Sequence, residues 1–532
     1  MPPQIGPIEV STTQLEALLE QARQEPLRDE GYHKLRAAIR TLGLVTELLE
    51  KQETTLAELR ELLCPASTEK TAKVLEQAGI HSGEKKPKAE RKKPPGHGRN
   101  GAAAYGGARR IQVRHESLQR GDPCPGGCGG KVYPQHDPGL RVRIYGQAPI
   151  TATVWELARL RCNLCGDVFT AAAPPEAEEK KYDATAASMM AVLRYGNGFP
   201  WTRLEGLQHG LGIPLAAATQ CQILAETAIP LGPAFQELVR QAAQWELVHN
   251  DDTSMRVLSL DRGNVSAERT GVFTSGIVWV FQQRRIALFF TGAKHAGENL
   301  ADVLRRRRLD LPPPIQMCDA LSRNMPKLPP PLQTVVANCL AHGRRAFVKV
   351  IASFPAQCRF VLETLSEVYQ YDEQARAARL TPQQRLHFHR QHSKPVMDQL
   401  EAWLKAQFAE RLVEPNSGLG KAISYLMNHW PRLTLFLERA GAPLDNNLAE
   451  RSLKKAILHR KNSLFYKTSN GAKMGDLYMS LIHTCELNRA NPFDYLTELQ
   501  RHAEQVKQAP AEWMPWNYRE RLVPAASVID SG

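Results

Sequence analysis

The sequence predicts a multidomain protein: an N-terminal α-helical or coiled-coil region, a zinc ribbon, a further helical segment, and an α/β domain interrupted by a helical insertion. Three observations lead there. Leucines recur in heptad phase near the N-terminus. Two short-spaced cysteine pairs enclose a β-rich stretch. Beyond Trp245, strand-like apolar runs alternate with helical ones, and two of the strand-like runs end in aspartate. The boundaries fall at 1–82 (helical, leucine zipper), 83–110 (basic Pro/Gly-rich linker), 111–175 (zinc ribbon), 176–243 (helical), 244–490 (α/β, with the insertion at about 347–440) and 491–532 (tail).

At 532 residues the chain is too long for one core, and its 42% hydrophobic content suffices for several. Lys and Arg outnumber Asp and Glu by 68 to 55, with a pI near 9.2, an excess that favours a polyanionic partner such as DNA. The N-terminus shows no basic segment leading into an apolar stretch, so no signal peptide is expected. Nor does any run approach the ~18 apolar residues of a membrane span; Ile277–Phe281 is followed at once by Gln282, Gln283, Arg284 and Arg285. Ten cysteines in such a chain argue against a disulfide scaffold. The expectation is a cytoplasmic protein with no membrane contact.

Leu35, Leu42, Leu49, Leu56 and Leu63 repeat every seven residues, with Ala38, Val45, Gln52 and Leu59 three places after the first four. Such an a/d seam predicts a coiled coil and a homodimer or higher oligomer, with an intramolecular helical hairpin as the alternative. The next segment cannot bury a core: it is Pro-broken and cationic at Lys85, Lys86, Arg91, Lys92 and Lys93, then Gly-rich. It reads as a tether or as an arm for phosphates. Cys124 and Cys128, then Cys162 and Cys165, are spaced to turn four thiolates onto one tetrahedral zinc, with glycines at the knuckles. The six other cysteines read as buried hydrophobes. Residues 200–224 read as helix, tight turn and helix packed by Leu204, Leu207, Ile213 and Leu224. This is either a helix-turn-helix offering Thr219, Gln220 and Gln222 to DNA or a plain helical hairpin.

From Trp245 the order is strand to Asp251, a hairpin (276–281 and 285–290), a helix, a strand to Asp319, then a strand from Val335 into a helix. An RNase H-like domain requires that order. In it two strand-borne aspartates and a helix-borne Glu450 can converge. Like charges so close oppose one another's ionisation. Two divalent cations about 3.5–4 Å apart resolve that conflict and activate phosphodiester chemistry. Asp445 is the expected N-cap of the Glu450 helix. By spacing alone Glu450 could instead pair with Lys454 at i,i+4.

The residue strings add a resemblance. Asp251-Asp252-Thr253, Cys339 to Phe347, Ser393-Lys394-Pro395, Trp403, Ser417 to Ala422 and Asp445 to Arg451 all resemble the transposases of the insertion-sequence family IS66. So do Arg460 to Phe465, Ser480 to Ile482, Asn491-Pro492 and Pro515-Trp516-Asn517. With the four-cysteine segment, the likeness covers about 124–518. It implies a DDE triad at Asp251, Asp319 and Glu450, two magnesium or manganese ions, and one structural zinc. It further implies cleavage at transposon ends, strand transfer into target DNA, and accessory proteins of the same element. Arg344, Arg345, Arg451, Arg460 and Lys461 are the expected phosphate contacts. The chain departs from the family's usual Asp-Glu-Thr at Asp252. It also departs at Ala320-Leu321-Ser322, where an aromatic segment is common, and at Lys454-Lys455, where Arg-Pro is usual. No departure removes a triad carboxylate. An RNase H-like nuclease or resolvase that cuts without joining, or a non-catalytic zinc-ribbon regulator, would share many of these features.

Overall fold

The computed structural model describes residues 180–261 and 271–522 throughout, 111–177 with gaps, and a few isolated positions before them. The heptad seam, the cationic arm at 85–93, Cys162 and Cys165 lie outside the described residues. The chain forms two compact units, residues 1–81 with 350–366, and residues 82–349 with 367–532. The described part of the first is mainly the largely helical 350–366 stretch.

In the second unit, a small antiparallel pair comes first, β1 (Arg159–Arg161) and β2 (Val168–Thr170), with Arg161 opposite Val168. Helices α1 (Ala184–Ala191), α2 (Trp201–Gly210) and α3 (Ala217–Ala242) follow. The turn between α2 and α3 falls where the sequence places it. However, α3 runs 18 residues past Leu224, through Pro230 and Pro233. Leu224, Leu231 and Leu238, with Ala234 and Ala242, are fully buried along it, and that apolar stripe outweighs the two prolines. Leu204 and Leu224 pack as expected, whereas Leu207 is exposed. Gln220 is buried and donates to Leu215 O (3.0 Å) and Trp201 O (3.2 Å), so it braces the helix pair from inside.

The main sheet has the order β5-β4-β3-β6-β7. Its strands are β3 (Leu247–Ser254), β4 (Phe273–Phe281), β5 (Arg284–Gly292), β6 (Ile315–Cys318) and β7 (Val335–Asn338). The first three form an antiparallel meander, while β6 and β7 run parallel to β3. Ile277, Val278 and Trp279 in β4 are all fully buried, as a central strand covered on both faces demands. Each such side chain stabilises the fold by roughly 1.5–3 kcal/mol.

Helix α4 (Ala296–Leu304) connects β5 towards β6, and α5 (Leu340–Val350) follows β7. The insertion is helical, as its composition suggests: α6 (Pro355–Ala377), α7 (Pro382–Ala409) and α8 (Gly418–Leu433). Then come α9 (Asn447–Ser463), α10 (Ser469–Leu487) and α11 (Pro492–Arg501). Asp445 is not the N-cap of α9, which is Asn446; Asp445 Oδ1 instead accepts from Asn447 N at 3.1 Å.

Strand β5 lies at the edge of the sheet, where unpaired backbone groups invite misassociation. Helix α10 covers it with a polar ladder. Asn488, Thr484, Ser480 and Asp476 accept from the N–H groups of Arg285 (3.1 Å), Ala287 (3.1 Å), Phe289 (2.9 Å) and Thr291 (2.7 Å). Four-residue spacing on a helix matches two-residue spacing on a strand closely enough, about 6 Å against 6.8 Å, for four successive bonds.

Candidate functional site at the sheet end

Asp251 and Asp252 are neighbours on β3, so their side chains leave opposite faces of the sheet. Asp251 lies opposite Gly276 of β4. A Cβ on Gly276 would come within 2.9 Å of Leu453 Cδ2 on α9. The missing side chain therefore lets α9 settle onto the Asp251 face. Three bonds fix the start of that helix. Asn446 Nδ2 donates to Asn250 O (3.1 Å), Asn446 Oδ1 lies 3.2 Å from His249 Nδ1, and Asn446 N donates to Cys339 Sγ (3.2 Å). Burial holds His249 neutral, with its pKa lowered to about 4.

In the parallel pair β3–β6, His249 faces Met317. Two residues further on stand Asp251, within β3, and Asp319, one residue past the end of β6. The Asp319 carboxylate is oriented by Leu321 N (3.2 Å) and Asn324 Nδ2. Tyr425 of α8 reaches the same corner through a backbone hydrogen bond with Ala320, and its phenol is pushed up to about 12, first by burial.

Glu450, in the first turn of α9, pairs with Arg345 of α5, not with Lys454: Arg345 NH2 donates to Oε2 at 2.9 Å. Its other oxygen, Oε1, is buried without a hydrogen-bond partner and lies 3.8 Å from His342 Nδ1.

The three carboxylates share one electrostatic neighbourhood. Asp251 is raised to about 7, first by burial, then by the charge of Asp319, with Asp252 and Glu450 adding to it. It accepts a hydrogen bond from Asp252 N (2.8 Å) and forms no ion pair among the described residues. An all-oxygen donor set with excess negative charge fits hard divalent cations such as magnesium. Asp252, by contrast, is enclosed on the opposite face by His295 Nδ1 (2.8 Å), Arg323 Nε (3.5 Å) and Ala296 N (3.5 Å).

Of the expected phosphate contacts, Arg451 and Lys461 are exposed on α9, and Arg344 and Arg345 are half-buried on α5. Arg460 is committed to the end of β3, donating to Thr253 Oγ1 (3.2 Å) and Ser254 Oγ (2.6 Å). The sequence reading missed Asn446, Tyr425 and the Arg345–Glu450 pair. A second asparagine where a helix opens was the available sign for the first; the others depend on tertiary contacts that no spacing announces.

In the cysteine segment, Cys124 N donates to Gly130 O (2.8 Å) and Val132 N to Asp122 O (3.0 Å), closing a tight hairpin around Cys124 and Cys128. The Cys128 thiol is lowered from its ordinary value, first by the Gly130 backbone N–H and then by Cys124. An N–H aimed at a sulfur favours thiolate, so these two residues suit zinc. Strands β1 and β2 flank the stretch that contains the other pair. Among the other described cysteines, Cys318, Cys339, Cys358 and Cys485 are buried as expected, but Cys221 is exposed.

A mixed sheet flanked by helices, with Asp251 at its end within reach of the charges of Asp319 and Glu450, defines an α/β domain. The family model described as "Transposase IS66 family" matches residues 180–474, more than half of the chain, and the chain belongs to that family. Three similar proteins come from Sinorhizobium fredii (strain NBRC 101917 / NGR234). "Uncharacterized protein y4jD" is 31% identical over 36% of this chain and 38% of its own length. "Uncharacterized protein y4hP" is 23% identical over 70% and 68%, and "Uncharacterized protein y4qI" is 22% identical over 62% and 61%. The chain thus spans well under half of the first of these relatives and about two thirds of the others. No helix among the described residues is long and apolar enough to cross a membrane.

Proposed function

We propose that this chain is a DDE transposase that binds the ends of its insertion sequence, cleaves DNA there and transfers the freed strand into target DNA. The single observation that carries the reading is the state of Asp251. A buried carboxylate beside two others, with no cationic partner, is costly unless a ligand neutralises it. The order of the sheet, three antiparallel strands followed by two parallel ones, supports the RNase H-like assignment. Asp251 on β3 and Asp319 just past β6 would supply oxygens, and Glu450 would supply them from α9. Two magnesium or manganese ions held there would activate water or a 3′-hydroxyl and stabilise the leaving oxygen. Arg345 holds Glu450 by one oxygen and leaves the other free to serve as a ligand. Arg344, Arg451 and Lys461, with the arm at 85–93, are placed in sequence and charge to hold phosphates. Cys124, Cys128, Cys162 and Cys165 would hold one structural zinc.

The test is to incubate the protein with DNA bearing the ends of its element, plus magnesium, and to map the products. The reading expects nicks at the ends together with joined strand-transfer products, both lost in Asp251→Asn. Cutting without joining would make the chain a nuclease or resolvase. End binding without cutting would make it a regulator.

A further inference from the structure

The triad is not the tightest group of potential metal ligands among the described residues. Among the described residues, Cys339, His342 and Glu450 offer ligand atoms that all lie within 4.8 Å of one another. Cys339 immediately precedes α5 and His342 lies in its first turn, where His342 N donates to Cys339 O at 3.2 Å. Glu450 meets them from the first turn of α9. We propose that these three residues form a second cation site, selective for a soft or borderline ion such as zinc, and that filling it holds Glu450 away from the magnesium cluster.

The donor chemistry argues for the ion. A thiol and an imidazole with one carboxylate are poor ligands for magnesium, which prefers oxygen, and good ones for zinc. Tetrahedral zinc with bond lengths of about 2.0–2.3 Å needs ligand atoms about 3.5 Å apart. The His342 Nδ1 to Glu450 Oε1 separation of 3.8 Å is already near that. The sulfur is held in place: Cys339 N donates to Cys318 O (3.0 Å), and Cys339 Sγ accepts from Asn446 N (3.2 Å). A backbone N–H aimed at sulfur is also what stabilises a metal thiolate. Glu450 Oε1 is buried and has no hydrogen-bond partner, while Oε2 keeps Arg345 at 2.9 Å. An ion on Oε1 would therefore leave the Arg345 pair intact. On binding, the Cys339 thiol gives up its proton to solvent as the sulfur–metal bond forms. The fourth position is left to water.

The site itself depends only on the three side chains; its inhibitory effect rests on the reading of Glu450 as a magnesium ligand. The experiment titrates full-length protein, its cysteine segment first loaded with zinc, with cobalt(II) while recording the near-ultraviolet sulfur-to-cobalt band. Wild type should take up one more equivalent with that band than Cys339→Ser, a nearly isosteric change, and His342→Gln should weaken uptake at least tenfold. Identical spectra and stoichiometry in wild type and Cys339→Ser, both folded by circular dichroism, would overturn the site. In magnesium-dependent cleavage, added zinc should inhibit wild type at concentrations at least tenfold below those that inhibit Cys339→Ser. Equal inhibition would overturn the regulatory effect. If no variant cleaves DNA, the transposase reading fails, and the cobalt titration still decides the site.

Discussion

The two faces of strand β3 carry the same residue type with opposite histories of satisfaction. On one face Asp252 is buried and fully engaged, by His295 at 2.8 Å, Arg323 at 3.5 Å and the N–H of Ala296. On the other, Asp251 accepts a single backbone N–H, and burial first, then the charge of Asp319, pushes it up to about 7. A buried charge with partners is explained by the fold. One that lies beside like charges and meets no cation among the described residues marks a candidate ligand site. Proximity in sequence says nothing about which is which, because the pleat separates the two side chains completely.

The contrast can be broken at several points. The largest expected effect is on catalysis: Asp251→Asn, Asp319→Asn or Glu450→Gln should each lower magnesium-dependent cleavage by at least about a thousandfold, since members of one acting unit fail together. Filter binding should show that DNA affinity survives. Gly276→Ala comes next. Its methyl would meet Leu453 Cδ2 at 2.9 Å and lift α9 from the sheet. The expectation is roughly 1–3 kcal/mol of lost stability, and a fall in cleavage rate greater than that seen in an equally destabilised variant remote from α9.

Asp252→Asn should cost about 1–3 kcal/mol in chemical denaturation, through its weakened contacts with His295 and Arg323, yet retain measurable cleavage. The smallest effect is one of pH. Because the folded-state pKa of Asp251 is raised to about 7 from 3.8, the metal-free fold binds its proton more tightly than the unfolded chain. Its contribution to stability is therefore present at low pH and lost as pH rises from about 4 through 7. Asp251→Asn should flatten that decline, and the rise in melting temperature caused by magnesium should be larger at pH 8 than at pH 6.

The parts of this arrangement legible in the sequence were those with a local signature. The strand runs ending at Asp251 and Cys318, the 276–290 hairpin and the helical insertion all declare themselves through apolar periodicity. Other features did not. Pro230 and Pro233 ordinarily end a helix, so the full length of α3 was hidden until its buried leucine stripe was seen against the core. The ladder from Asp476 to Asn488 has a clear four-residue period, but polar residues at that spacing read equally well as a solvated face. Its meaning appears only when β5 is placed beneath it. Within the proposed site, the three carboxylates are named from the sequence alone. Asn446 as the N-cap of α9, and Arg345 as the partner of Glu450, arise where segments 105 or more residues apart meet, and no local pattern encodes them.

The most direct test of the central claim is a crystal structure of the protein with end DNA and manganese, with the ions located by anomalous scattering. The account predicts two manganese ions about 4 Å apart, ligated by Asp251, Asp319 and Glu450, with Asp252 still bound to His295. Ions on Asp252, or a site at Asp251 that remains empty at saturating manganese with DNA bound, would contradict it.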